Sequence, residues 1–257
     1  MSTYKMLCVL ALMMTGETLG LPAAPLAVLP LTLLTGAFAG SKAFSVLLIP
    51  CAAVTAGSAA VRFAPLAGLG GLEKTPLWVV VLVTAAVAAY LASGGAEGLS
   101  KWAAVSLPLT AGFLSLTGLL LAGKFRLAGF YIPQVRTENP AVLVCEAVTI
   151  LGVIPALGGT NRPFRVYLSA LTVAAGIGAA CWAMANFTLG AELARKTAFP
   201  FFTALRVAKG GELIGRIETL LIPVSFGVTV MKIAGSLTVL RTAYGTLRPG
   251  SAPACFL

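Results

Sequence analysis

The sequence predicts an all-α membrane protein, a single bundle of about eight transmembrane helices. Of its 257 residues, 58% are apolar and 10% are charged, whereas a soluble domain has about 45–50% apolar and about 25% charged residues. Its mean hydropathy is +0.97. The 18 Lys and Arg residues outnumber the 8 acidic residues, but they are scattered between apolar runs. That pattern is typical of basic membrane loops and not of a nucleic-acid-binding face.

Successive apolar runs, each close to the length that crosses a bilayer, define the elements in order. The expected spans lie at approximately 6–23, 25–39, 44–61, 76–93, 102–122, 140–158, 166–190 and 217–240. The bundle is therefore expected over residues 1–244, followed by a short tail over 245–257. The first run also fits a cleaved signal peptide, although Glu17 interrupts it and apolar sequence continues beyond. The second run is short and fits a half-span or a re-entrant segment as well.

The loop before the last expected span is predicted to contain a further short helix. Phe199-Pro200 places a proline at a helix start, and Gly210-Gly211 can end the helix. Its apolar residues share one face, which fits an interfacial helix or a lid over a membrane cavity.

The composition argues against several classes of enzyme and metal site. The sequence contains no His and no Asp, so zinc hydrolase motifs, Ser-His-Asp triads and two-metal sites lack their usual residues. The five cysteines have no CxxC spacing and are interpreted as small buried apolar residues: Cys8, Cys51, Cys145, Cys181 and Cys255. We expect no metal, no cofactor and no enzymatic activity.

Three charged residues lie inside the expected spans instead of at their ends: Glu17, Glu146 and Lys232. A charge at the bilayer centre costs about 2.5–3.5 kcal/mol on insertion scales, so such a residue normally faces protein or water and has a partner. Each is therefore a candidate site residue. A protonated glutamate hydrogen-bonded to a neighbouring helix is the alternative. The other charges, Arg62 among them, are expected at span ends.

Two of these charges lie in spans that also carry helix-disturbing residues. Gly16, Gly20 and a proline flank Glu17, and the span containing Cys145 and Glu146 reaches Pro155. Paired interrupted spans point to a binding site near the bilayer midplane in inverted-repeat transporters.

Basic residues offer partners for these acids. Lys232 could form an ion pair with Glu146 or Glu17. At the start of the last span, Glu218 could stabilise the helix N-terminus while Arg216 reaches the headgroups. The candidate ligand-binding set is thus Gly16, Glu17, Gly20, Cys145 and Glu146, with a second set of charge partners, Lys232, Arg216 and Glu218.

Four stretches in order resemble a known family, the integral-membrane B subunit of bacterial spore germinant receptors (the GerAB type). The entry into the family's fourth span is similar to Thr75-Pro76-Leu77-Trp78. The family's fifth span is similar to Gly95-Ala96-Glu97 followed by Pro108. Cys145-Glu146 followed by Pro155 is similar to the sixth. The most specific stretch combines Leu189-Gly190, Phe199-Pro200, Arg216-Ile217-Glu218 and Lys232-Ile233.

This resemblance implies membership of the amino acid–polyamine–organocation transporter superfamily. The implied fold is a five-plus-five inverted repeat with broken first and sixth helices and a cytoplasmic N-terminus. The implied function is sensing of a small nutrient, often an amino acid, in the inner spore membrane, with a companion membrane subunit and a lipoprotein as partners. The alternatives are a proton-coupled amino acid or amine permease and a truncated, non-binding structural paralogue.

The sequence departs from the family pattern in three places. The connection between the second and third spans is short, and Cys145 stands where the family usually has a glycine. The sequence also ends where the family continues through a ninth and a tenth span, so we expect a truncated version of the inverted repeat.

Overall fold

The computed structural model describes residues 3–15, 42–69, 74–123, 140–157, 163–197, 199–207, 219 and 221–247, and the regular elements within them are all helices. In chain order these are α1 Thr3–Met14, α2 Lys42–Leu69, α3 Leu77–Ser93, α4 Gly95–Ala122, α5 Pro140–Ala156, α6 Pro163–Leu189, α7 Ala191–Lys196, α8 Pro200–Val207 and α9 Leu221–Leu247. The predicted all-α class is confirmed.

Four of the described helices are long and apolar enough to cross a membrane, namely Lys42–Leu69, Gly95–Ala122, Arg165–Leu189 and Leu221–Leu247. With a rise of 1.5 Å per residue, α4 is about 42 Å long, more than the ~30 Å of a bilayer core. Shorter apolar helices accompany them: Thr3–Met14, Leu77–Ser93 and Val144–Ala156. These helices are those of a multi-pass membrane protein.

The core forms around α9, which packs against α1, α2, α3, α4 and α5. Its residues from Gly227 to Ser236 are all buried, as expected for a helix surrounded by other helices. Helix α1 is enclosed in the same way, between α4, α6 and α9, and every residue from Cys8 to Met14 is buried. The peripheral helices instead expose large apolar side chains, such as Trp78 and Leu119, which suits contact with lipid.

The two ends of the bundle can be told apart by their contacts. At one end, Lys5 of α1 interacts electrostatically with Glu97 at the start of α4. Ser45, near the start of α2, accepts a 2.9 Å hydrogen bond from Thr246, near the end of α9. We call this the N-terminal end of the bundle.

At the opposite end, short helix α8 closes over the bundle. Its residues Phe201, Phe202, Ala204 and Leu205 are buried in one apolar cluster with Leu66 at the end of α2, Leu121 at the end of α4 and Leu221 at the start of α9. Phe201 makes an edge-to-face contact with Phe113, with ring centroids 6.4 Å apart. The apolar face of α8 therefore packs on protein, as a lid does. We call this the α8 end.

Helices α3 and α4 are joined by a tight glycine corner. Gly95 has φ +59°, a conformation that L side chains rarely adopt. A Cβ on Gly98 would lie 2.8 Å from the Leu91 carbonyl oxygen, so only glycine allows the first turn of α4 to approach the end of α3 this closely.

Several helices differ from the expected spans. Helix α2 does not end at residue 61 but continues to Leu69 with Pro65 inside it, so Arg62 lies within a helix and not in a loop. Helix α9 continues to Leu247, past the expected start of the tail at residue 245. The expected second span, 25–39, lies outside the described residues.

The predicted break in the sixth span is absent at the candidate residues. Helix α5 runs continuously from Pro140 through Cys145 and Glu146 to Ala156, with Pro155 in its last turn. The backbone around Glu146 is therefore helical, and it does not offer the open backbone groups of a broken helix. The five-plus-five inverted repeat stays a prediction.

Candidate functional site

A buried cluster of three ionisable side chains lies where α2, α5 and α9 meet. The Oε1 atom of Glu146 on α5 is 3.1 Å from Nη1 of Arg62 on α2 and 3.9 Å from Nζ of Lys232 on α9. The side chains of Glu146 and Lys232 are only 7% and 5% exposed, whereas that of Arg62 is 26% exposed. One carboxylate thus interacts with a buried cation and with a more accessible one.

These charges meet because each lies inside a helix that continues well past it. Apolar residues that follow Arg62, such as Phe63 and Leu66, continue α2 as a buried helix beyond the arginine. Lys232 lies in the fully buried part of α9. Gly152 of α5 allows the close packing, since a Cβ there would lie 2.6 Å from Leu48 of α2 and 3.1 Å from Val239 of α9.

The cluster lies between the α8 end and the middle of the bundle. Lys232 is eleven residues from Leu221 at the start of α9, a depth of about 16 Å by helix rise. Arg62 is four residues from Leu66 of the α8-end cluster, or about 6 Å. Arg62 is therefore the first charge of the cluster reached from the α8 end, and Lys232 is the deepest.

A stripe of buried polar residues on α9 extends from near the α8 end through the depth of the charge cluster. Ser225, Thr229, Lys232 and Ser236 are all buried, and their spacing of four, three and four residues places them on one helix face. The Thr229 and Ser236 hydroxyls donate to backbone carbonyls one turn earlier, at 2.8 Å in each case.

Two buried polar atoms of this region have no hydrogen-bond partner within the described part of the chain: Ser225 Oγ and Glu146 Oε1. The cations near Oε1 are close enough to attract it, but neither makes a hydrogen bond of good geometry. An unsatisfied buried polar group costs about 1–3 kcal/mol. Ser225 Oγ is therefore a group that water or a ligand could complete, whereas Glu146 Oε1 is compensated by its two cations.

Further polar contacts join α2 to α5 beside the cluster. The hydroxyl oxygens of Thr55 and Thr149 are 3.1 Å apart, and the thiols of Cys51 and Cys145 are neighbours. Cys145 is the partly exposed member of the thiol pair. The interface between α2 and α5, the helices that carry Arg62 and Glu146, therefore contains several polar side chains.

The structure brings together three of the residues singled out from the sequence: Cys145, Glu146 and Lys232. The others lie outside the described residues: Gly16, Glu17, Gly20, Arg216 and Glu218. Sequence analysis missed Arg62 and Ser225. The apolar run continuing past Arg62 was the available signal, but Pro65 favours an early helix end.

Ion pairing is the chemistry that the side chains of this cluster show. Across the described residues, no three His, Cys, Asp or Glu side chains come close enough to hold a metal ion. A carboxylate held between a guanidinium and an ammonium can instead exchange partners with a charged small molecule, or take up a proton.

These features define a multi-pass membrane protein with a buried ion-pair cluster. A family model described as "Spore germination protein" matches residues 33–247, which includes all three charges of the cluster. The chain belongs to this spore germination protein family, whose members are receptor-like and permease-like membrane proteins. No curated protein matches the chain, and no solved structure matches it.

Proposed function

We propose that the chain is the membrane subunit of a spore germinant receptor of the GerAB type, and that it senses a small nutrient, an amino acid in the first instance. It acts in the inner spore membrane as a receptor and not as an enzyme. The observation that carries the proposal is the buried cluster of Glu146, Arg62 and Lys232 in a chain of this family.

The position of the cluster explains how binding could become a signal. Arg62, Glu146 and Lys232 belong to three different helices, α2, α5 and α9. A ligand that contacts them in one arrangement of these helices and not in another shifts the population towards the first. The companion membrane subunit and the lipoprotein would respond to that shift.

Binding of a labelled amino-acid panel to the purified protein in nanodiscs tests the proposal. We expect saturable binding of at least one amino acid, and at least tenfold weaker binding by the Glu146→Gln variant, because a charge-assisted contact contributes about 1.5–3 kcal/mol. Glu192→Gln, at an exposed position of α7, is the matched control and should bind like the wild type. Glu146→Asp keeps the charge and should retain part of the binding, and an unchanged size-exclusion profile of Glu146→Gln excludes misfolding as the cause of its loss.

Absence of binding across the panel would contradict the proposal and favour a non-binding structural paralogue. A proton-coupled permease is the second candidate, because a buried carboxylate between two cations can exchange a proton as its partners move. In liposomes that contain this protein alone, uptake of the bound amino acid driven by an imposed pH gradient would establish transport. Binding without uptake supports the receptor.

A further inference from the structure

Two cysteines that are far apart in the sequence lie together between α2 and α5. Cys51 on α2 and Cys145 on α5 are free thiols in this structure, and they are neighbours. We infer that the pair is a reversible oxidation site, at which a peroxide joins the two sulfurs in a disulfide that links α2 to α5. The inference goes beyond the proposed function and does not depend on it.

The packing of α2 against α5 shows separately that Cys51 faces the other helix. On α2, Cys51 lies three residues after Leu48 and four before Thr55, a spacing that places all three on one helix face. Both flanking residues contact α5. A Cβ on Gly152 would lie 2.6 Å from Leu48, and Thr55 Oγ1 is 3.1 Å from Thr149 Oγ1. Cys51, between these two contacts, therefore points towards α5.

Cys145 lies on the face of α5 that packs on α2. It precedes Thr149 by four residues and Gly152 by seven, so the three share one face. A threonine oxygen is bonded to Cβ, as a cysteine sulfur is. The 3.1 Å contact of the Thr55 and Thr149 hydroxyls, one helical turn from each cysteine, thus shows how closely the two backbones approach. This closeness is what a disulfide between helices requires.

The two thiols differ in accessibility, and this difference sets the order of the steps. Cys145 is partly exposed, whereas Cys51 is buried, so hydrogen peroxide reaches Cys145 first. The deprotonated sulfur of Cys145 attacks one peroxide oxygen. An S–O bond forms, the O–O bond breaks, and the hydroxide that leaves takes up the thiol proton as water. The product is a sulfenic acid on Cys145.

The buried thiol completes the reaction. The sulfur of Cys51 attacks the sulfur of the sulfenic acid, so that the S–S bond forms, the S–O bond breaks, and water leaves with the proton of Cys51. In total, the two thiols lose two electrons and two protons, and one peroxide molecule is reduced to two water molecules. An added thiol reverses the step by thiol–disulfide exchange.

The disulfide would add a covalent link to an interface that an ion pair already joins. Arg62 of α2 and Glu146 of α5 are 3.1 Å apart, and Glu146 follows Cys145 directly in the sequence. Oxidation therefore holds the two helices that carry these charges in one arrangement, and reduction releases them.

Disulfide mapping by mass spectrometry tests the inference on the full chain in nanodiscs. The protein is treated with hydrogen peroxide, unfolded in the presence of N-ethylmaleimide and digested. We expect two peptides joined through Cys51 and Cys145, the other cysteines alkylated, and both thiols recovered after treatment with dithiothreitol. Cys181→Ser, at a buried position of α6 in a different apolar cluster, is the matched control and should form the same disulfide.

Two single variants test the order of the steps. In Cys51→Ser, the sulfenic acid on Cys145 has lost its neighbouring thiol, so dimedone, which reacts with sulfenic acids, should label Cys145. In Cys145→Ser, Cys51 should stay unlabelled because it is buried. Alkylation of both Cys51 and Cys145 after peroxide treatment of the wild type, a link from either to another cysteine, or dimedone labelling of Cys51 in place of Cys145 would each overturn the inference.

Discussion

Glu146 is the residue on which the charge cluster depends, because it is the carboxylate that both cations contact. We predict that Glu146→Gln lowers the free energy of unfolding by about 3–5 kcal/mol, the usual cost of breaking a buried ion pair by removing one partner. Lys232→Gln should cost less, because Glu146 keeps Arg62. Thermal unfolding in detergent measures both variants.

The exposed ion pair of Glu97 and Lys101, with its charged atoms 2.7 Å apart, provides the control for that measurement. Both side chains are more than 70% exposed, so solvent screens the pair and Glu97→Gln should change stability little. A larger loss for Lys232→Gln than for Glu146→Gln would show that Lys232, and not the shared carboxylate, organises the cluster.

At the residue scale, the sequence predicts which charged residues lie inside the membrane spans but not which of them form ion pairs with each other. Glu146 and Lys232 stand out because each lies within an apolar run, where a charge is costly. Arg62 does not stand out, because an arginine at the edge of a run can reach the headgroups. Its role depends on α2 continuing past Pro65 and on α5 crossing beside it, and packing decides both.

At the element scale, apolar runs predict helices well, because a bilayer requires backbone groups to be paired within the segment. The runs expected at 76–93 and 102–122 correspond to α3 and α4. The apolar run 102–122 does not show that α4 begins at Gly95, seven residues before residue 102 and directly after α3. That start depends on the tight corner, where Gly95 supplies a positive φ and Gly98 a close approach.

The corner leads to a prediction about Gly98. Gly98→Ala would place a Cβ 2.8 Å from the Leu91 carbonyl oxygen, a backbone atom that cannot rotate away, so α3 and α4 must move apart. We expect a loss of about 1–3 kcal/mol in stability, as for other overpacked sites. Gly112→Ala, with no atom within 4 Å of the new Cβ, is the control, and thermal unfolding of both variants in detergent is the measurement. Equal melting temperatures for the two variants would show that the corner is not tightly packed.

At the scale of the whole molecule, the helix contacts determine which residues share a membrane face. Lys5, Glu97 and Lys101 lie at the N-terminal end, and α8 lies at the opposite end with Leu66, Leu121 and Leu221. The expected spans place Lys5 and Lys101 on one side and Arg206 on the other, in agreement with these contacts. The counts of basic residues in the predicted loops do not show which side is cytoplasmic, because both faces carry many of them.

This arrangement predicts opposite accessibility for Lys101 and Arg206, which are both exposed. In a variant with its five cysteines replaced by alanine, Lys101→Cys and Arg206→Cys should react with a membrane-impermeant maleimide from opposite faces of oriented membrane vesicles. With a cytoplasmic N-terminus, as the family resemblance implies, Lys101→Cys reacts from the cytoplasmic face and Arg206→Cys from the other. Reaction of both from one face would contradict the assignment of the ends. The charge cluster would then no longer lie between the bilayer centre and the face that α8 covers, and a ligand arriving outside the cytoplasm would not meet Arg62 first.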